Sequence, residues 1–399
     1  MTTRIKFFGL MCFFSILLIF GSGNEFNISA ADNKERLLDD AREALKFEAV
    51  IKKAKESVVL LSVNPNVDPL TNPLQGAMCA GVVVDAIGHV ITNFHCVHKQ
   101  NYIKLYYFNK DDWQEYDVNV IGLDPLADLA LLQVLGKEGP VPFLKFAKGA
   151  GKIAEGTEVF ALGHPMGMIW TVTKGIISST ARYARHPYIK AVQTDAAINK
   201  GNSGGPLMNM KGEIVGINAL IVSKISENAG VAVAIRGDIV KKSFESMLDN
   251  GKVDRPAVGV MIVALAREPT RKKILKEFPK QNPGHIPNTF GLLIRPDVNI
   301  PDGLKAFDTI IMVNDVVINN GLQFSDELSK HKIGDSVTLT IIRKRVFRRV
   351  DITLKVFPVP IDALYDVKAK PMPLPKIPEL EKPPSEEPKQ ENSEPEKPK

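Results

Sequence analysis

A chain of 399 residues that is 44% hydrophobic and 24% charged has ordinary globular composition, which excludes a wholly disordered or collagen-like protein. At roughly 150 residues per domain, the length suggests two to three domains. The 51 basic and 45 acidic side chains leave a net charge of +6, too mild to argue for nucleic acid, and three cysteines are too few for a disulfide scaffold.

In chain order, Arg4 and Lys6 precede an apolar run from Phe7 to Phe20. That run has signal-peptide length and falls short of the roughly 20 residues a spanning helix needs. Residues 1–31 therefore read as a signal peptide, cut near Gly21-Ser22-Gly23 or Ser29-Ala30-Ala31, or as a retained anchor. Cys12 lies inside the run and reads as a passive residue of it. No later segment is apolar enough to cross a membrane, so export is expected, to a compartment where disulfides persist. Asn33 to Lys55 places Leu37, Leu38, Ala41, Leu45 and Ala49 at helical spacing, within a helical segment over 32–56.

From 57 to 249 the pattern changes to short β-branched runs separated by Gly, Asn, Asp and Pro. The first series is Val58–Val63, Gly81–Val84, His89–Thr92, Tyr102–Tyr107, Val118–Leu123 and Leu129–Val134. The second is Glu158–Leu162, Thr171–Ser178, Ala191–Thr194, Glu213–Leu220 and Gly230–Ile235. Two series of about six strands suggest two small barrels. Ile239 to Leu248 predicts a closing helix. After a polar junction, a compact domain over 254–357 is expected. Its strands lie near Gly259–Val263, Gly291–Ile294, Thr309–Val313 and Val316–Ile318, followed by a helix over Ser325–Lys330 and a hairpin of Ser336–Arg343 with Arg348–Val356. The tail, 358–399, holds 11 prolines and cannot bury enough apolar surface to offset its ordering entropy, so it reads as disordered.

The strongest chemical signal is Gly201-Asn202-Ser203-Gly204-Gly205-Pro206. A serine hydroxyl is a poor nucleophile until a base takes its proton. Flanking glycines let the backbone turn sharply, so that the N–H groups of Gly201 and Ser203 can aim at one oxyanion. His95 in Thr92-Asn93-Phe94-His95-Cys96 offers the base, and Asp128, just before an apolar strand, the carboxylate that orients it. The order His, Asp, Ser suits a chymotrypsin-type double barrel.

The segment from Gln193 through Gly201-Asn202-Ser203-Gly204-Gly205-Pro206-Leu207 resembles the active-site stretch of the HtrA/Deg serine proteases. Ala161-Leu162-Gly163-His164-Pro165-Met166-Gly167, the TVTKGIISS run from Thr171, and Asp128-Leu129-Ala130-Leu131-Leu132 are similar too, so the resemblance covers about residues 50 to 357. It implies a mainly β fold: a chymotrypsin-like double β-barrel followed by one PDZ domain, the latter marked by Gly303-Leu304-Lys305-Ala306-Phe307-Asp308-Thr309-Ile310. It implies His95 as general base, Asp128 as its orienter, Ser203 as nucleophile, and Gly201 and Ser203 as the oxyanion hole. Ile198 resembles a residue lining the primary specificity pocket, and Arg182 an arginine of the activation-sensing loop. The PDZ carboxylate loop falls on Val258, Gly259 and Val260.

Many relatives lack cysteines at 79 and 96; here Cys79-Ala80-Gly81 and His95-Cys96 resemble the chymotrypsin pattern, which implies a Cys79–Cys96 disulfide. The alternative is two buried thiols. A zinc site using His95, Cys96, His98 and Cys79 would occupy the base and fits no standard spacing, so no metal or cofactor is expected. His89, His164 and His186 read as surface or loop residues. A polar insert from Arg267 to Asn288 interrupts the PDZ pattern and puts peptide capture in question; its basic residues, like those of the terminal hairpin, read as a solvated face.

The implied protein is an exported, periplasmic or otherwise extracytoplasmic, serine endopeptidase. Its partners are unfolded or damaged polypeptides, peptide C-termini at the PDZ domain and copies of itself, as a trimer or a multiple of one. No nucleic-acid partner is expected, and membrane association runs through the N-terminus. The alternatives are a non-proteolytic chaperone or scaffold, and a signalling protease with one dedicated substrate.

Overall fold

The computed structural model describes residues 30–357 apart from 65, 73–77, 110–111, 166–167, 184–188, 220–229, 267, 278–289 and 297–299. The apolar run Phe7–Phe20, with Cys12, and the tail from 358 lie outside the described residues, as does His186. The chain divides into two units at Glu48/Ala49. Helix α1 (Ala30–Lys55) starts three residues before the expected Asn33. Its Leu37, Leu38 and Leu45 are exposed. Among the described residues no helix is long and apolar enough to cross a membrane.

The first barrel is built from β1 (Val58–Ser62), β2 (Met78–Val83), β3 (His89–Thr92), β4 (Lys104–Asn109), β5 (Asp112–Asp124) and β6 (Leu129–Val134), closed in the order β1-β2-β3-β6-β5-β4. A single turn, α2 (Phe94–Val97), leaves the end of β3. The second barrel uses β7 (Glu158–Gly163), β8 (Thr171–Tyr183), β9 (Lys190–Thr194), β10 (Pro206–Asn209), β11 (Ile214–Asn218) and β12 (Ala232–Arg236), closed as β10-β11-β12-β9-β8-β7. Alternation fills each interior. Val59, Leu61, Val90, Leu105 and Leu132 meet inside the first barrel, and Val159, Ala161, Ile177, Val192 and Leu207 inside the second. The double-barrel expectation holds. The sixth strand of the second series is β10, which directly continues the Gly-rich loop and which the Gly and Pro residues hid from pattern reading.

Helix α3 (Gly237–Asn250) leaves β12 and ends on Gly251, whose left-handed φ of 68° lets its N–H reach the Met247 carbonyl. Beyond it lie β13 (Pro256–Ala257), β14 (Ile262–Ala264), α4 (Glu268–Glu277), β15 (Leu292–Ile294), β16 (Thr309–Val313), β17 (Val316–Val317), α5 (Gly321–Leu328), β18 (Ser336–Arg343), β19 (Val346–Thr353) and β20 (Lys355–Val356). β13 pairs with β20, and the main sheet runs β14-β15-β16-β18-β19, with β17 added to β16. Its core gathers Ile294, Ile310, Val313, Phe324, Leu339 and Ile341. The strand expected near Gly259–Val263 instead runs over Ile262–Ala264, because Gly259 at φ 81° is out of extended backbone and separates it from β13. The polar insert opens with a helix, α4, which packs Ile274 against Leu265 and Leu293.

Among the described residues, two ion pairs tie this third part to the barrels. Arg255, just before β13, donates two hydrogen bonds to Asp124 at 2.8 and 2.6 Å, and Lys190 at the start of β9 meets Asp326 of α5 at 2.7 Å.

Candidate active site

The end of β3, the turn before β6 and the loop before β10 converge where the two barrels face one another. Asp128 is fully buried and held in the left-handed region at φ 56°, which an aspartate tolerates better than a bulkier residue. Hydrogen bonds to the segment around His95 hold it there. Its main-chain carbonyl accepts from the Phe94 N–H at 3.0 Å and from Asn93 Nδ2 at 2.9 Å. Its Oδ1 accepts from the His95 main-chain N–H at 2.9 Å, and its Oδ2 lies 2.8 Å from His95 Nδ1. Both carboxylate oxygens thus engage one histidine, fixing Nδ1 as the donor and leaving Nε2 with its lone pair. The His95 side chain is 31% exposed, so Nε2 is open to a reacting group.

Ser203 is buried to 3% on the loop ahead of β10. Its carbonyl accepts from the Ala80 N–H of β2 at 2.9 Å, which pins the second barrel's loop to the first barrel. Gly204 and Asn218 hold the far side, with the Gly204 N–H on the Asn218 carbonyl at 3.0 Å. Gly201 takes φ 104°, and a Cβ there would sit 2.2 Å from the His164 carbonyl oxygen, so only glycine fits. Among the described residues, neither the Gly201 N–H nor the Ser203 N–H has an acceptor, and no hydrogen bond joins Ser203 Oγ to His95. Two unsatisfied N–H groups flanking a serine hydroxyl are what an oxyanion needs. A long contact between nucleophile and base is common before substrate tightens the site.

A disulfide joins Cys79 of β2 to Cys96 of α2, with Cα atoms 6.1 Å apart. It brackets the segment that delivers His95, and Cys96 Sγ lies 3.6 Å from His95 Nε2. The ligand atoms of Cys79, His95 and Cys96 all fall within 4.8 Å of one another.

Ile198, partly buried, packs against the second barrel's core. Arg182 is exposed, and its Nε donates to Gln193 Oε1 at 2.8 Å. Val258 is buried in the third core, while the Gly259 and Val260 N–H groups find no acceptor among the described residues. Sequence reasoning missed His164. It is not a surface residue: it is fully buried beneath Gly201, and its Nδ1 accepts from the Trp170 N–H at 3.3 Å. Burial pushes its pKa down to about 4, against a small opposing contribution from the Val59 backbone. His89 is buried as well, with Nδ1 2.6 Å from Asp85 Oδ2. The run of apolar residues before His164 and the Asp85–His89 spacing were the only available signals.

Residues 79–217 match a trypsin-like peptidase domain and residues 294–354 a PDZ domain. A probable periplasmic serine endoprotease DegP-like of Brucella suis is 31% identical over 286 residues, covering 71% of this chain and 53% of that protein. The periplasmic serine endoprotease DegP of Escherichia coli K12 is 32% identical over 271 residues, covering 67% of this chain and 54% of that protein. The chain thus spans about half the length of these relatives. Among solved structures, the HtrA-type protease AlgW with decapeptide is 25% identical with a TM-score of 0.64, covering 79% of this chain and 99% of that one.

Proposed function

The chain is homologous to the DegP/HtrA serine proteases, with a trypsin-like peptidase domain followed by a PDZ domain, and from that premise we propose that it is an exported serine endopeptidase that cleaves unfolded or damaged polypeptides. The observation that carries the reading is the buried Asp128 carboxylate holding His95 with both oxygens, beside a serine flanked by unsatisfied N–H groups.

In this reading Ser203 Oγ attacks the scissile carbonyl carbon while His95 Nε2 takes its proton. Asp128 stabilises the imidazolium through Nδ1 without accepting a proton itself. The Gly201 and Ser203 N–H groups receive the oxyanion, a contribution of about 3 kcal/mol per donor to the barrier. His95 then protonates the leaving amine. Water, activated by the same imidazole, releases the acyl group. Ile198 lines the pocket for a small aliphatic side chain before the scissile bond. The test is hydrolysis of casein by wild type against Ser203→Ala and His95→Ala, each checked for fold by circular dichroism. Loss of cleavage in both variants supports the reading, and cleavage by folded Ser203→Ala at the wild-type rate would sink it.

The PDZ domain regulates the site. Its edge strand β14 and helix α5 form the groove into which a peptide adds as a further strand. The Gly259 and Val260 N–H groups take the peptide carboxylate. The Lys190–Asp326 and Arg255–Asp124 pairs are the routes by which the PDZ domain meets the barrels, and Arg182 on β8 is the sensor that answers. The protein works outside the cytoplasm, held there by its N-terminal segment or released from it, and assembles as a trimer. A signalling role, in which one peptide switches the enzyme on, is the second reading, and the lack of a Ser203–His95 hydrogen bond among the described residues favours it over a permanently active state. A peptide that raises the hydrolysis rate would support it.

A further inference from the structure

We propose that when the Cys79–Cys96 bond is reduced, the two cysteine sulfurs and His95 Nε2 form a binding site for a soft divalent cation such as zinc, and that the bound cation silences the protease. The inhibitory half of this inference rests on the function proposed above; the site itself does not.

The geometry needs little adjustment. Thiolate–zinc bonds of about 2.3 Å and imidazole–zinc bonds of about 2.0–2.1 Å, arranged tetrahedrally, put sulfur about 3.6 Å from nitrogen and two sulfurs about 3.8 Å apart. Cys96 Sγ already stands 3.6 Å from His95 Nε2, and all three ligand atoms lie within 4.8 Å of one another. The sulfurs must part once their bond opens, and the 6.1 Å between the two Cα atoms lets side-chain rotation do this and bring Cys79 Sγ to bonding reach of the same cation. The frame around them is fixed: Ala80, next to Cys79, donates to the Ser203 carbonyl, and its own carbonyl accepts from Thr92 Oγ1 at 2.8 Å.

The second observation is electronic. A zinc-bound histidine almost always donates its other ring N–H to a carboxylate, a backbone carbonyl or water, which sets the tautomer and raises the basicity of the metal-facing nitrogen. Asp128 does this to His95 at 2.8 Å, and its carboxylate is fully buried. The pair that prepares His95 as a base therefore also prepares it as a ligand. With two sulfurs and one nitrogen as donors, the fourth position remains for solvent.

The chemistry balances. A dithiol gives up two electrons and two protons, closing to its own disulfide, and Cys79 and Cys96 become thiols. The cation displaces both thiol protons to solvent and takes the His95 Nε2 lone pair, the same pair that must accept the Ser203 proton. Removal of the cation returns the base, and exchange of the two freed thiols with an external disulfide, which leaves as its dithiol, closes the bond again.

The test uses the full-length chain with Ser203→Ala to prevent self-cleavage. It is reduced with a water-soluble phosphine, which leaves as the phosphine oxide carrying water's oxygen, and is titrated with cobalt(II). The expected result is one equivalent bound with thiolate-to-cobalt charge-transfer and tetrahedral ligand-field bands, displaced by zinc and absent from oxidised protein. Adding Cys79→Ser or His95→Ala should weaken binding at least tenfold. The proposal is overturned by reduced protein that keeps its near-UV circular dichroism yet shows no such bands, by His95→Ala binding as tightly as its parent, or by reduction alone abolishing the near-UV signal. In wild type, zinc should lower casein hydrolysis at least tenfold in the reduced form only, reversibly with chelator, and equal inhibition of the oxidised form overturns the silencing. Hydrolysis missing from every form would count against the protease reading alone, since the cobalt spectrum decides the site by itself.

Discussion

Arg255 grips Asp124 with two parallel hydrogen bonds, at 2.8 and 2.6 Å, across 131 positions of sequence. Asp124 is 1% exposed, also accepts from Ser243 Oγ at 2.7 Å, and opens the turn that ends at Asp128, where the Ala127 N–H returns to its carboxylate at 3.1 Å. The residue at the root of the PDZ domain thus steadies the turn that presents the Asp128 carboxylate. Arg255→Ala leaves a buried charge without its cation, a loss expected to cost about 3–5 kcal/mol. Urea unfolding checks this, and Arg255→Lys, keeping charge without the fork, should fall between the two.

Gly201→Ala should fail for two separable reasons. Its φ of 104° is hostile to any side chain, and the added Cβ would meet the His164 carbonyl oxygen at 2.2 Å. The loop must move, and with it one oxyanion donor. A fall in kcat of about 10²–10³ is expected, with KM much less affected. Steady-state kinetics on a peptide substrate measures it. An unchanged kcat would place the oxyanion elsewhere.

His164 gives the folded protein an acid sensitivity of defined sign. Burial lowers its pKa to about 4 from an ordinary 6.5, so between these values the unfolded chain binds a proton that the folded chain does not. Its stabilising contribution is complete above pH 6.5 and is lost as pH falls toward 4, on the order of 3 kcal/mol in total. Urea midpoints measured from pH 7 to 4 should decline more steeply for wild type than for His164→Gln. Parallel curves would remove His164 from the account.

Reduction of Cys79–Cys96 opens a link between residues 17 apart in sequence. By the loop-entropy relation such a link contributes roughly 3 kcal/mol. Cys79→Ala with Cys96→Ala should lower the thermal midpoint by several degrees, read by calorimetry, while Ser203→Ala leaves it nearly unchanged.

Much of this architecture was readable because its signals are local. Val58–Ser62, His89–Thr92 and Leu129–Val134 are dense β-branched or leucine runs ended by polar turns, and each became a strand of the first barrel. The GNSGGP loop and the two short segments around His95 and Asp128 announced a serine, a base and a carboxylate before any geometry. What stayed hidden depends on distant partners. Pro206–Asn209 is a strand because Leu207 and Met208 pair with Ala161 and Phe160, not because of its own composition. His164 looks like a polar loop residue until its burial beneath Gly201 is seen. Arg255 sits in a polar junction, and nothing near it in sequence points to Asp124. Helix α4 held too few apolar residues to stand out, since Ile274 alone of its described side chains is buried.

The central claim is that Ser203 is a nucleophile activated by His95. The most direct measurement is labelling with a fluorophosphonate probe of wild type and Ser203→Ala, with and without casein. The account predicts labelling of wild type that rises with casein and is absent from Ser203→Ala. A folded, oxidised wild-type protein that stays unlabelled with casein present, or a Ser203→Ala variant labelled equally well, would contradict it.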